Sequence, residues 1–199
     1  LDPEFSHDGA TIVFYGSYDS VETIHFIDKN GNYLGKIIES GYLTTPSWSP
    51  DDKKLAISKS GNIITVLANG DSLETLTNTG EDFYCKWSPD GRYIAYTKSI
   101  CNPECGIAIY DFMTQTTKVI GEYGGHASWS RNPDRIYYYH TSYEKKPNSE
   151  ISYYKGFVFK RIDVNTLKID SLYYVAKTNL DLWLENCTVS PDEKEILFS

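Results

Sequence analysis

The chain has 199 residues, enough for one large domain with a substantial core, and its 40% apolar and 23% charged residues are an ordinary balance for a soluble globular protein. Nineteen basic against 27 acidic residues leave a net charge of −8, which argues against nucleic acid or an anionic membrane surface as partner, because little here would neutralise phosphates. The apolar runs are far too short for a membrane-spanning helix, and 17 tyrosines favour strands.

The first residue is Leu1 rather than Met and no basic-then-apolar leader follows it, so the chain reads as a processed product or an excised piece. Four cysteines are too sparse for a disulfide scaffold and leave the compartment undecided.

The first unit to stand out is Phe5-Ser6-His7-Asp8-Gly9. It recurs as Trp48-Ser49-Pro50-Asp51-Asp52, Trp87-Ser88-Pro89-Asp90-Gly91, Trp129-Ser130-Arg131-Asn132-Pro133 and Val189-Ser190-Pro191-Asp192-Glu193, the serines lying 43, 39, 42 and 60 residues apart. Six positions after each serine comes Ile12, Leu55, Ile94, Ile136 or Ile196, and eight after comes Phe14, Ile57, Tyr96, Tyr138 or Phe198. Three before it stand Pro3, Pro46, Cys85, Ala127 and Cys187, all small. Ser-Pro-Asp-Gly is turn chemistry: Pro presets φ, Asp bonds nearby backbone N–H groups and Gly tolerates positive φ. Period-two alternation on both sides predicts a strand, a turn and a strand.

A second hairpin follows in each unit. In chain order, Ile24 to Ile38 turns at Asn30-Gly31, Ile63 to Leu76 at Asn69-Gly70, Ile107 to Ile120 near Phe112-Met113-Thr114, and Phe157 to Leu172 near Val164-Asn165-Thr166. Asn-Gly between alternating strands is a strong hairpin signal. Four strands in roughly 42 residues is the period of a propeller blade. The predicted fold is therefore all-β, a single β-propeller domain over 1–199 built from four-stranded antiparallel blades, with four complete repeats and the inner pair of a fifth, and almost no helix.

The stretch Trp87-Ser88-Pro89-Asp90-Gly91-Arg92-Tyr93-Ile94-Ala95-Tyr96 resembles the blade motif of TolB-like β-propellers, a motif shared by the propellers of prolyl oligopeptidase and dipeptidyl peptidase enzymes. The resemblance covers the whole chain. WD-repeat propellers share the turn and the period, but no Trp-Asp dipeptide occurs here; Ile27-Asp28, Tyr110-Asp111 and Ile162-Asp163 stand in its place. The resemblance implies a six-bladed ring of which this chain is a part, a non-enzymatic interaction module with a protein partner, and a bacterial extracytoplasmic setting, periplasmic or secreted. A second reading is the substrate-gating propeller of a prolyl oligopeptidase-like serine peptidase whose catalytic domain lies outside these residues; a third is a carbohydrate-binding propeller. Fold alone does not choose among them.

No catalytic constellation is apparent. There is no Gly-x-Ser-x-Gly elbow and no Gly-rich phosphate loop, and His7, His25, His126 and His140 share no metal-ligand spacing. No cofactor and no metal are expected. Asp8, Asp51, Asp90 and Asp192 recur at the blade period, so each reads as the cap of its own turn. Asp28-Lys29-Asn30-Gly31-Asn32 superficially matches a calcium loop, but Tyr33 stands where the sharp turn needs Gly, and a hairpin turn is the expected structure. Cys101 and Cys105 bracket three residues between two strands; a disulfide, free thiols and a metal pair all remain open. Cys85 and Cys187 read as small core residues.

The one long interval carries an insertion of about 18 residues over a normal blade, read as a hairpin loop at 140–156. It is rich in Tyr and mixed charge, a composition suited to protein, peptide or sugar contacts. Tyr143, Lys145, Tyr153 and Tyr154 are its candidate binding residues. Open blade edges would further allow self-association.

Overall fold

The structure, a computed structural model, describes residues 3–18, 21–39, 41–99, 106–122, 124–145, 152–176 and 187–198. Every regular element among them is a strand. The first sheet is β1 (Glu4–Phe5), β2 (Thr11–Tyr18), β3 (Val21–Asp28) and β4 (Tyr33–Glu39). The second is β5 (Leu43–Trp48), β6 (Lys54–Lys59), β7 (Asn62–Leu67) and β8 (Glu74–Thr75). The third is β9 (Asp82–Trp87), β10 (Tyr93–Lys98), β11 (Gly106–Asp111) and β12 (Thr116–Val119). The fourth is β13 (Gly125–Trp129), β14 (Arg135–Lys145), β15 (Ser152–Asp163) and β16 (Ile169–Ala176), and β17 (Cys187–Val189) pairs β18 (Ile196–Phe198) as a two-stranded sheet. Each full sheet is an antiparallel meander in sequence order, so the four blades and the half-blade follow the repeat.

The motif turns behave as their chemistry dictates. Ser6, Ser49, Ser88 and Ser190 Oγ donate to the carboxylates of Asp8, Asp51, Asp90 and Asp192 at 2.6–2.7 Å. The same hydroxyls accept the N–H of Thr11, Lys54, Tyr93 and Glu195 at 2.8–3.0 Å. Each aspartate thus caps its own turn. In the fourth copy Asn132 takes the aspartate's place and accepts the Asp134 N–H. The third residue after the serine has left-handed backbone at Gly9, Asp52, Gly91 and Glu193 (φ +69°, +56°, +73° and +58°), which explains Gly in two of these turns.

The hydrogen bonds from Ser6, Ser49 and Ser190 hold the exposed carboxyls of Asp8, Asp51 and Asp192 below the ordinary aspartate value of 3.8. A carboxyl whose folded value is depressed adds stability above its unfolded value and loses it as pH falls through the folded one. Thermal unfolding followed by circular dichroism is therefore expected to show a melting temperature that falls progressively below about pH 4. A melting temperature that stays level from neutral pH to pH 2 would contradict the cap assignment.

The core lies between blades. The residue seven after the serine, Val13, Ala56 or Ala95, packs into the following blade. The residues six and eight after it pack against the preceding blade: Leu55 and Ile57, Ile94 and Tyr96, Ile136 and Tyr138. All nine are at most 2% exposed. Period-two alternation thereby feeds two seams from each strand. The turns add to the seams. Asp52 accepts His7 N at 2.8 Å, His7 Nδ1 at 2.8 Å and Asp8 N at 3.0 Å, so it caps the neighbouring blade's turn, whose proline is replaced by His7. Where the neighbour has Pro50, the equivalent residue is Gly91, whose missing Cβ would lie 3.6 Å from the proline ring. Glu193 reaches back to Arg135 Nη1 at 2.6 Å and Tyr137 hydroxyl at 2.9 Å.

Candidate functional site

A meander places the turns after the first and third strands of a blade at one end, and the connections after the second and fourth strands at the other. The motif turns and the Asn-Gly turns therefore share one face. The opposite face holds the chain entering β5, β9 and β13 and the ends of β14 and β15 at Lys145 and Ser152.

The sequence suggested a loop at 140–156. Among the described residues β14 and β15 continue into it in antiparallel register, from Thr141↔Phe157 through Tyr143↔Tyr154 to Lys145↔Ser152, with a register shift between Ser142 and Tyr143. Over 141–145 and 152–156 the insertion is a two-stranded arm, in which Thr141, Tyr143, Tyr153 and Tyr154 are residue types that suit extended strands. Among the described residues β16 pairs with β15 as far as Gly156↔Ala176, and beyond it the pairs are those of β14 with β15. The backbones of Tyr143, Lys145, Tyr153 and Tyr154 are thus placed on this arm, while their side chains lie outside the described residues. Cys101 and Cys105 also lie outside them, between β10 and β11. Cys85 is a free, fully buried thiol whose burial pushes it up to about 12, an inert core residue rather than a nucleophile.

At the foot of the arm a chain of aromatic rings crosses three blades. Tyr42 meets Phe83 edge-on (6.2 Å between centroids), Phe83 neighbours Tyr84 (6.2 Å), and Tyr84 stacks on His126 at 3.8 Å and 27°. His126 lies 6.4 Å from Tyr139, which meets Phe157 edge-on at 5.5 Å. The far end of the Tyr139 ring lies over Gly125: a Cβ there would fall 2.1 Å from Cζ, so a larger residue would displace the ring. Tyr42 is exposed, and Phe83, Tyr84 and His126 are half-buried.

Three of the innermost strands share a bulge on this side. Thr45, Tyr84 and His126, each four residues before its serine, have left-handed backbone (φ +34°, +57° and +33°). Register shifts there set two residues against one, opposite Ile57, Tyr96 and Tyr138. The bulge turns Tyr84 and His126 toward each other across the seam. The repeat carried this signal, since both share one offset, but only the bulge makes it a contact.

Along the inner edge the residue two before the serine bridges blades. Glu4 Oε1 accepts Trp48 N at 2.9 Å and Ser47 Oγ at 3.2 Å, and Ser47 Oγ accepts Trp87 N at 3.2 Å. Glu4 also pairs with Lys86 Nζ, two blades away, and Trp129 Nε1 donates to the Lys86 carbonyl at 3.0 Å. These bonds satisfy inner-edge N–H groups that face no further strand. Among the described residues no three His, Cys, Asp or Glu side chains gather as a metal-ion set.

No family model matches the sequence, and no curated protein does. Solved structures do resemble it. TolB from Acinetobacter baumannii is 18% identical with a TM-score of 0.68, covering 84% of this chain and 41% of its own. A protein described as TolB from Agrobacterium tumefaciens is 15% identical with a TM-score of 0.70, over all of this chain and 74% of its own. Puromycin hydrolase is 13% identical with a TM-score of 0.62, over 98% of this chain and 32% of its own. The chain therefore spans less than half the length of the Acinetobacter protein. At such identities the likeness establishes the fold: an all-β, TolB-like propeller of four-stranded blades.

Proposed function

We propose that this chain is a non-enzymatic interaction module that presents the arm and the aromatic rings at its foot to a protein partner. The observation that carries the reading is a chain of rings, exposed Tyr42 and half-buried Phe83, Tyr84 and His126 backed by buried Tyr139 and Phe157, at the foot of the long β14–β15 hairpin. Aromatic side chains supply contact area at low entropic cost, and tyrosine adds a hydrogen bond. The net charge of −8 suits a protein partner better than a nucleic acid. The likeness to TolB supports an extracytoplasmic setting, and no helix among the described residues is long and apolar enough to cross a membrane.

Selection of displayed random peptides against the purified chain tests this. Binders are expected to lose at least tenfold in affinity on Tyr42→Ser with Phe83→Ser, and on replacing 143–154 by a two-residue turn, while Lys53→Glu on the motif-turn face leaves them unchanged. Binders insensitive to both loop-face changes would overturn the assignment. The shortened protein is expected to melt within about 2 °C of the parent, because among the described residues the strand pairs removed are those of β14 with β15 beyond Ser142↔Gly156.

The likeness to puromycin hydrolase supports a second reading, the gating propeller of a larger hydrolase. An immunoblot of source cells, with the detected polypeptide sequenced by mass spectrometry, separates the two: a chain that carries a Gly-x-Ser-x-Gly hydrolase domain besides the propeller favours the hydrolase.

A further inference from the structure

The seam between the second and third blades encloses a charge at its loop-face end. Asp82 opens β9, is fully buried, and neither carboxylate oxygen has a hydrogen-bond partner among the described residues. Lys98 lies opposite it in register, yet no hydrogen bond joins the two side chains. Leu43, at the same position in the repeat, belongs to the seam with the preceding blade, among Val13 and Ile24. Asp82 is aimed the same way. Burial, and after it the Asp82 charge, pushes the hydroxyl of Tyr96 above its ordinary value, and Tyr96 is a residue of the seam between blades two and three.

A second unsatisfied group faces it from blade two. Ala56 and Ser58 lie on one face of β6; Ala56 belongs to this seam, and Ser58 Oγ crosses it to the Asp82 carbonyl at 2.7 Å. Thr44 pairs with Ser58 in register, so its side chain stands on that same face. Thr44 is buried, and its hydroxyl too has no partner among the described residues. A carboxylate and hydroxyls are hard oxygen donors, and a buried carboxylate is ordinarily paired or ligates a metal ion. A single negative charge is balanced by a monovalent cation, whereas divalent ions in oxygen sites draw on more carboxylates. We infer that a sodium or potassium ion binds between Asp82 and Thr44 at the loop-face end of this seam. It neutralises the carboxylate and joins β5 to β9 one residue before Phe83, where the ring chain crosses the blades. An aspartate where the repeat has Leu43 costs stability in the ion-free protein, and the ion offsets that cost. The inference is independent of the protein-partner reading, since it concerns how two blades close on each other.

Thermal unfolding of the 199-residue chain in sodium, potassium and choline chloride at equal ionic strength tests it. The parent is expected to melt about 3–6 °C higher in sodium or potassium chloride than in choline chloride, whose cation is too large to enter the seam. The better of the two alkali salts identifies the ion. Asp82→Leu is expected to melt above the parent in choline chloride and to lose the difference between salts, so it also carries any general salt effect. Thr44→Val is expected to shrink the difference while remaining folded, as near-ultraviolet circular dichroism checks; Thr44→Ser, which restores the hydroxyl, is expected to recover it. A parent that melts alike in all three salts would overturn the inference and leave the carboxylate to the Lys98 ammonium opposite it. A difference that persists in full in Asp82→Leu or in Thr44→Val would overturn it as well.

Discussion

Trp87→Ala is expected to lower the unfolding free energy by about 3 kcal/mol, the lower end of what a buried Trp truncation costs. The indole lies in the seam between the second and third blades, parallel to Phe112 at 4.9 Å and 1°, and Phe112 in turn meets Tyr110 edge-on at 5.0 Å. Beneath it are Ala56, Cys85 and Ile94, all fully buried. The indole N–H has no partner, so truncation breaks no side-chain hydrogen bond and the loss is one of packing. The Trp87 backbone N–H keeps its bond to Ser47 in the variant. For a domain of this size the melting temperature should fall by about 6–12 °C. Trp87→Phe is expected to cost less than about 1.5 kcal/mol, because it keeps the ring and removes an unpaired donor. Guanidinium titration of both variants measures this, and a loss under 1 kcal/mol for Trp87→Ala would mean that the seam does not depend on the stack.

Asp82→Leu should act in the opposite direction, raising stability by about 1–3 kcal/mol. Asp82 opens β9 and is fully buried, yet neither carboxylate oxygen has a hydrogen-bond partner. Its backbone is well held, its N–H on the Gly61 carbonyl at 2.8 Å and its carbonyl under the Ser58 hydroxyl at 2.7 Å. Only the side chain is at odds with its surroundings. The same position in the preceding blade is Leu43, also fully buried. Replacing an unpaired buried carboxylate by the residue the repeat itself uses removes a desolvation cost and keeps the main-chain bonds. Asp82→Asn should gain less, since a buried amide without partners is still penalised. The same titration measures both, and a loss of more than 1 kcal/mol for Asp82→Leu would show that the carboxylate is held by a group that binds it in solution.

The blade pattern could be read from residues because it is local. A serine, an aspartate two positions on and alternating strands on either side form their bonds within six residues of one another, so every copy carries its own instructions. Even the departures stayed inside that grammar: Arg131-Asn132-Pro133 still closes a turn, through Asn132 rather than an aspartate. The arm was the local exception. Its position was evident from the long interval, but polar Tyr-rich composition reads as loop, and only pairing across the ribbon made 140–145 and 152–156 into strands.

The candidate site was far less accessible. Tyr84 and His126 are 42 positions apart and touch because bulges in two neighbouring blades bend the inner strands toward each other. Glu4 and Lys86, 82 apart, pair across an intervening blade, and His7 and Asp52, 45 apart, meet where one turn lacks its proline. None of these partners can be found from spacing.

By itself, then, the sequence determined the all-β class, the blade period, the capped turns and which side chains point to a seam, since turn chemistry and the two-residue alternation of a strand operate over a few positions. Tertiary structure alone decided how the seams are filled, where the inner strands bulge and which aromatic rings meet, because those depend on how neighbouring blades are set against one another through contacts some forty residues apart.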